Sequence, residues 1–219
     1  MKPRHVAALD TDADHVPGPA PASARAGAIC GLEPDCVIRT SRLGLRVCRV
    51  ADAARIHAIF ADWEVVRWLG APPWPLPLAE TKAYIENVTA GFVQIPERYL
   101  VIEHDGRIAG GIGVRAHPQN HLQRAAGPHI YYWLGRSFWG KGLMTEAAGA
   151  LIARVFAACA GPAIYSGAFE GNAASLRVQE KLGFVRDGVT MLTCNPRGGI
   201  ELPHINTVLT RSRFEARPR

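Results

Sequence analysis

The stretch from His129 to Phe169 constrains the fold more than any other part of the sequence. "HIYYWL" alternates as a strand does, a turn containing Gly140 and Gly142 follows, an Ala-rich helical pattern runs to about Phe156, and "AIYSGAF" is a strand again. Upstream, "RYLVIEHDGRIAGGIGV" reads as two strands joined at Asp105-Gly106, a hairpin signal because such a turn needs positive φ. Downstream, "GVTMLTC" and "HINTVLTR" are strands flanking the loop "NPRGGIELP". Between the last two units, "NAASLRVQEKLG" is a helix with Asn172 as its cap and Gly183 as its stop. Strand-helix alternation in the middle, with hairpins around it, predicts a single α/β domain built on a mixed sheet.

The N-terminal half supplies one more strand, in which Leu43, Leu45 and Val47 alternate, and two helices. Asp52 stands at the cap of the first, with Ile56, Ile59, Phe60 and Trp63 on one face. "GAPPWPLPLAE" interrupts with four prolines, and Tyr84, Ile85, Val88 and Phe92 mark the second helix. The expected order is β-α-α-β-β-β-α-β-α-β-β. Residues 1–36, rich in Ala, Pro, Gly and Asp, offer few large side chains to offset ordering entropy, so a disordered extension is expected there. The domain is expected over residues 37–214 and a basic tail over 215–219. Deleting residues 1–36 should then leave stability nearly unchanged.

The 219 residues suffice for one well-buried domain, and no apolar run approaches the roughly 18 residues of a membrane span. No apolar stretch follows the first cations, which argues against a secretory signal. Five cysteines without C-x-x-C spacing argue against a disulfide framework or a zinc site and fit a reducing cytoplasm. Much of the net charge of +6 comes from Arg211, Arg213, Arg217 and Arg219, which a solvated basic tail explains at least as well as nucleic acid. No stretch interleaves basic residues with aromatics as a nucleic-acid face would, so no specific nucleic-acid partner and no membrane are expected. A monomer or a homodimer is equally compatible.

Gly135 to Lys141 spells G-x-x-x-x-G-K, one residue short of a nucleoside-triphosphate loop. That loop ends in a Ser or Thr whose hydroxyl binds magnesium, and here Gly142 holds the position. "AIYSGAF" does not end in a magnesium-binding Asp either. Metal-assisted nucleotide hydrolysis therefore lacks both metal ligands. A diphosphate can be held there without metal, because Gly140 and Gly142 allow close backbone approach and the following helix begins with unpaired N–H groups.

"YWLGRSFWGKGLMTEA" together with "GNAASLRVQEKLGF" resembles the GNAT superfamily of acyl-coenzyme A-dependent N-acetyltransferases. The resemblance is closer to the RimJ/RimL type of ribosomal-protein N-terminal acetyltransferase and extends from "RLGLRVCRVADAARI" through "VVRWLGAPPWPL" to "LPHINTVLTRSRF". It implies a mostly antiparallel sheet flanked by helices, whose fourth strand (His129 to Gly135) and fifth strand (Ala163 to Phe169) splay apart. Acetyl-coenzyme A would lie in that opening, with no metal. The cofactor residues implied are Trp133, Leu134, Ser137, Trp139, Gly140, Lys141, Gly142, Leu143 and Met144, joined by Asn172 and Ser175. Ser137 stands where relatives usually carry Gln or Arg, which removes one polar contact and leaves the backbone contacts.

Direct attack on a thioester needs a neutral amine, a donor to the thioester oxygen and a proton for the departing thiolate. The resemblance points to Ser175 for that proton. For the base, Glu103 and His129 are the candidates, and a water chain is the alternative. An α-amine titrates near pH 8 and a lysine near 10.4, so at pH 7 about a tenth of the former is neutral and far less of the latter. Without an evident strong base, the expected acceptor is a peptide N-terminal α-amine. A small amine (polyamine, aminoglycoside or amino acid) is the alternative, as is a coenzyme A sensor without turnover.

Overall fold

A computed structural model describes residues 32–90, 97–117 and 127–217. Residues 1–31 of the extension expected over 1–36 lie outside these residues, as do Phe92 and Arg219. Among the described residues eight strands form one sheet: β1 (Val37–Arg39), β2 (Gly44–Val47), β3 (Glu97–His104), β4 (Arg107–His117), β5 (Gly127–Leu134), β6 (Ala163–Phe169), β7 (Val185–Cys194) and β8 (Ile200–Thr210). Their spatial order is β1-β2-β3-β4-β5-β6-β8-β7, and every pair is antiparallel except β5 with β6. The mixed, mostly antiparallel sheet expected from the sequence is the one observed. Asp105 and Gly106 turn the β3–β4 hairpin with φ of 49° and 69°.

Helices cover both faces. On one lie α1 (Ala53–Phe60), α2 (Trp63–Val66) and α3 (Leu78–Ala90), packing Ile56, Val65, Ile85 and Val88 against Tyr99, Val101 and Trp133 of the sheet. Trp63 does not continue α1; Asp62 breaks the helix and caps α2 by accepting from the Glu64 N–H. On the other face lie α4 (Leu143–Ala158) and α5 (Ala173–Lys181). Leu143, Ala147, Leu151 and Val155 recur every fourth residue along α4 and are buried with Ile102, Ile112, Ile130 and Ile164.

The N-terminal boundary differs from expectation. Leu32 is fully buried in the α4-side core and Cys36 lies there too, so packed chain begins before residue 37. At the other end α6 (Arg211–Glu215) docks on the domain. Phe214 packs on Phe156, Arg211 donates to the Cys159 carbonyl, and Arg213 donates to that of Gly183. Arg211 and Arg213 of the C-terminal basic cluster are thus bonded to the domain, with the Arg213 side chain still exposed.

Candidate active site

The parallel pair β5–β6 has a single registered partnership, His129 with Tyr165, after which the strands separate. The Ser166 hydroxyl donates to the Ile130 carbonyl at 3.1 Å and closes the narrow end. At the wide end the Gly135 N–H turns toward β4, donating to Ala109, so by alternation Tyr132 and Leu134 present their backbone groups to the gap. The Trp139 indole takes the Leu134 carbonyl at 2.8 Å. The N–H and C=O of Tyr132 and the N–H of Leu134 are left along this edge, a row that an extended amide chain can pair with as an added strand does.

The chain then turns through the phosphate-sized loop. Gly142 has φ 74° and ψ 1° and forms the cap of α4, whose first N–H groups have no carbonyl one turn earlier to bond. Arg42 braces this loop: its guanidinium donates to the Lys141 carbonyl at 3.0 Å and to Glu146 on α4 at 2.6 Å. Glu146 also accepts from the Thr40 hydroxyl at 2.5 Å and the Arg42 N–H at 3.2 Å. Burial opposes its charge, but these donors outweigh burial and hold the Glu146 carboxyl below the usual range. The exposed loop, with its left-handed glycine and helix N-terminus, fits a diphosphate.

The cofactor residues named from sequence divide by what remains available. Leu143 and Met144 bury their side chains in the core, so only their N–H groups can serve. The Trp133 ring is likewise core, edge-on to Phe60 and donating to the Tyr99 hydroxyl at 3.0 Å. Lys141 is exposed with its ammonium 5.8 Å from the Phe138 ring, and Ser137 is exposed on an open depression of about 470 Å³ between α1 and residues 135–138.

Asn172 caps α5 by accepting from the Ser175 N–H at 3.2 Å, which points the first turn at the gap. The Ser175 hydroxyl donates to the Tyr132 hydroxyl at 3.1 Å and accepts from Gln179 at 3.3 Å. Gln179 is buried and bridges strands, donating to the Gly167 carbonyl and accepting from Thr207. Burial raises the Tyr132 phenol against the lowering effect of Ser175 and Gln179, so it stays protonated at neutral pH. Tyr132 was not singled out in the sequence, although its alternation with Tyr131 puts it on the α5 face.

The two base candidates are not brought together. His129 sits at the closed end of the gap, in register with Arg115 of β4, which is in turn in register with Glu97 of β3. Glu103 lies at the opposite end of β3, past a bulge, bound to Arg46 at 2.8 Å, and Arg46 also holds Asp52. Glu103 is therefore part of a structural ion cluster away from the gap. Sequence reading passed over Glu97, a buried carboxylate accepting from the hydroxyls of Tyr84 at 3.1 Å and Tyr131 at 2.9 Å.

The loop between α2 and α3 meets the loop between β7 and β8. Asn195 donates its N–H to Gly70 and its side chain to Ala71, both at 2.9 Å, and Arg197 stacks 4.4 Å over Trp68. Trp63 and Trp74 lie beside them, ring centres 5.5 Å apart. Among the described residues no three or more His, Cys, Asp or Glu gather as a metal site would, and no helix is long and apolar enough to cross a membrane.

The family model described as an acetyltransferase (GNAT) domain matches residues 42–185, and the chain belongs to this family. GNAT acetyltransferases use acetyl-coenzyme A. The fold is shared with an acetyltransferase-like protein of T. thermophilus, with 20% identity, a TM-score of 0.68, and coverage of 82% of this chain and 91% of that one. It is shared equally with RimL, a ribosomal L7/L12 alpha-N-protein acetyltransferase solved with coenzyme A (19% identity, TM-score 0.64, 80% and 98% covered). An aminoglycoside acetyltransferase in complex with coenzyme A is similar at 24% identity and a TM-score of 0.62, over 79% and 97% of the two chains. No curated protein matches in sequence.

Proposed function

We propose that this protein moves the acetyl group of acetyl-coenzyme A to a primary amine by direct attack, and that the acceptor is a peptide N-terminal α-amine. The observation that carries the transfer reading is the β5–β6 gap, with a backbone edge at Tyr132 and Leu134 on one side and the Ser175–Tyr132 hydroxyl pair at its mouth. The N–H groups of Gly140 to Met144 hold the diphosphate, braced by Arg42. A backbone N–H on the gap edge polarises the thioester carbonyl, an effect worth about a hundred- to a thousandfold. Ser175, backed by Tyr132, supplies the proton that the departing sulfur takes up.

Two observations favour the α-amine. The amine is neutral often enough near pH 7 to react without a strong base. The groove border is aromatic and stiff, with Trp63, Trp68, Trp74 and Arg197, rather than acidic as a polycation would require. The free state of the described cysteines fits the proposed cytoplasmic location. The test is coenzyme A release from acetyl-coenzyme A against N-terminally free peptides, the same peptides blocked at the N-terminus and carrying a lysine, polyamines, aminoglycosides and amino acids. The free peptides should turn over fastest. Turnover confined to a polyamine or aminoglycoside would overturn the acceptor, and binding without release across the panel would favour a sensor.

A further inference from the structure

Resting on the transfer reading, we propose that His204 receives the proton of the attacking amine, and that Asn206 and Thr190 are positioning residues that hold it in the required tautomer. His204 begins the inner half of β8, paired with Phe169 of β6 and Thr190 of β7. Its ring meets Phe169 edge-on at 5.6 Å and leans across Gly167, where a Cβ would fall on the ring itself. Glycine at 167 is what allows an imidazole from β8 to reach over β6, the strand forming one lip of the gap.

The ring's hydrogen bonds fix its chemistry. Nδ1 lies 3.2 Å from the Asn206 Oδ1, and the Asn206 amide donates to the Thr190 hydroxyl at 3.1 Å. An amide oxygen has no hydrogen to give, so Nδ1 carries the proton and the lone pair of the neutral ring resides on Nε2. Asn206 is buried and bonded at both ends of its amide, which holds the side chain in place.

Position agrees with this role. Counting from the His129–Tyr165 pair, Gly167 is level with Tyr131 across the gap, and His204 shares the sheet face of His129, Tyr131, Arg115 and Glu97. Ser175 and Tyr132 lie toward the α5 face. Amine and leaving sulfur would then meet proton-transfer groups on opposite faces. The amine nitrogen forms the C–N bond and passes one proton to Nε2 of His204. The C–S bond breaks with its electron pair on sulfur, which takes a proton from Ser175. His204 returns its proton to solvent and Ser175 regains one, so the net products are the amide and the free thiol. The rival bases are placed less well: Glu103 is bound to Arg46, Glu97 is donated to by two phenols, and His129 is at the closed end.

The test measures kcat at saturating amine between pH 5.5 and 9 for wild type, His204→Gln and Asn206→Asp, with acetyl-coenzyme A affinity read by calorimetry. Wild type should show an inflection apart from the amine's own near 8. His204→Gln should lose that inflection and about a hundred- to ten-thousandfold in rate, with coenzyme affinity unchanged. Asn206→Asp places a carboxylate on Nδ1–H and should move the inflection to higher pH, which a merely structural pair would not do. An active wild type with an unimpaired His204→Gln, or an unmoved inflection in Asn206→Asp, overturns this assignment alone. A wild type that binds acetyl-coenzyme A and acetylates none of the amines overturns the transfer reading and this assignment with it.

Discussion

Replacing Gly142 by Ala isolates the backbone's part in holding the cofactor. Residue 142 sits in the left-handed region, where an L-residue costs about 1–2 kcal/mol. A Cβ there would meet only the Arg42 guanidinium, at 3.7 Å, which is ordinary contact. The expected penalty is therefore conformational and not steric. If residue 142 escapes it by leaving this conformation, the N–H groups of Leu143 and Met144 lose their aim and binding must restore it. The Kd for acetyl-coenzyme A should then rise by up to about 5- to 30-fold, at 1.4 kcal/mol per factor of ten. Gly198→Ala is the control: its φ is 79° with open space around the Cβ, and it lies in the β7–β8 loop. It carries the same backbone cost and should leave the Kd unchanged. Calorimetric titration without magnesium reads the affinity and thermal melts confirm folding. Acetyl-coenzyme A should raise the wild-type Tm without metal, ATP with magnesium should not, and Gly142→Leu should abolish the shift. A folded Gly142→Ala with wild-type affinity, or an equal loss in Gly198→Ala, would refute the reasoning.

Ser175→Ala should slow turnover ten- to about a thousandfold, within the range of acid–base effects, with coenzyme affinity little changed; a full rate in the variant would remove Ser175 from the mechanism. Glu146→Gln should loosen the Arg42 brace and weaken acetyl-coenzyme A binding more than it lowers Tm, read by the same titration and melts. Leu32→Ala should cost about 2–5 kcal/mol as a core truncation, or about 4–20 °C in Tm at this chain length, whereas deleting residues 1–31 should cost little; equal melting temperatures for wild type and Leu32→Ala would place Leu32 outside the core. Burial works against the Asp52 charge, but the Arg46 guanidinium and the Arg49 N–H outweigh it and hold its pKa down. Its contribution is then present above the unfolded carboxylate range near pH 4 and lost as pH falls through the lower folded value. Urea unfolding should accordingly show Asp52→Asn less stable than wild type at pH 7, with the difference shrinking toward pH 2.

Local chemistry made much of this molecule legible in its sequence. The Asp105-Gly106 turn, the Asn172 cap and the Gly183 stop are decided within a few residues, because positive φ and orphan N–H groups restrict which side chains can serve. The β-α-β unit from His129 to Phe169 follows from the same local signals, and so does the exclusion of a triphosphate loop by Gly142. What the sequence could not decide is which distant residues share a face and a level. Glu97 and Glu103 are indistinguishable as strand carboxylates, yet one bulge and the placement of Arg46 put them in separate clusters. Arg42 reaches the phosphate loop from a segment about a hundred residues away, and Leu32 enters the core from a stretch whose composition reads as loose. His204 becomes a candidate base only because β8 inserts between β6 and β7, laying its ring over a glycine. Such pairings depend on strand order and register, which arise from the packing of the whole sheet.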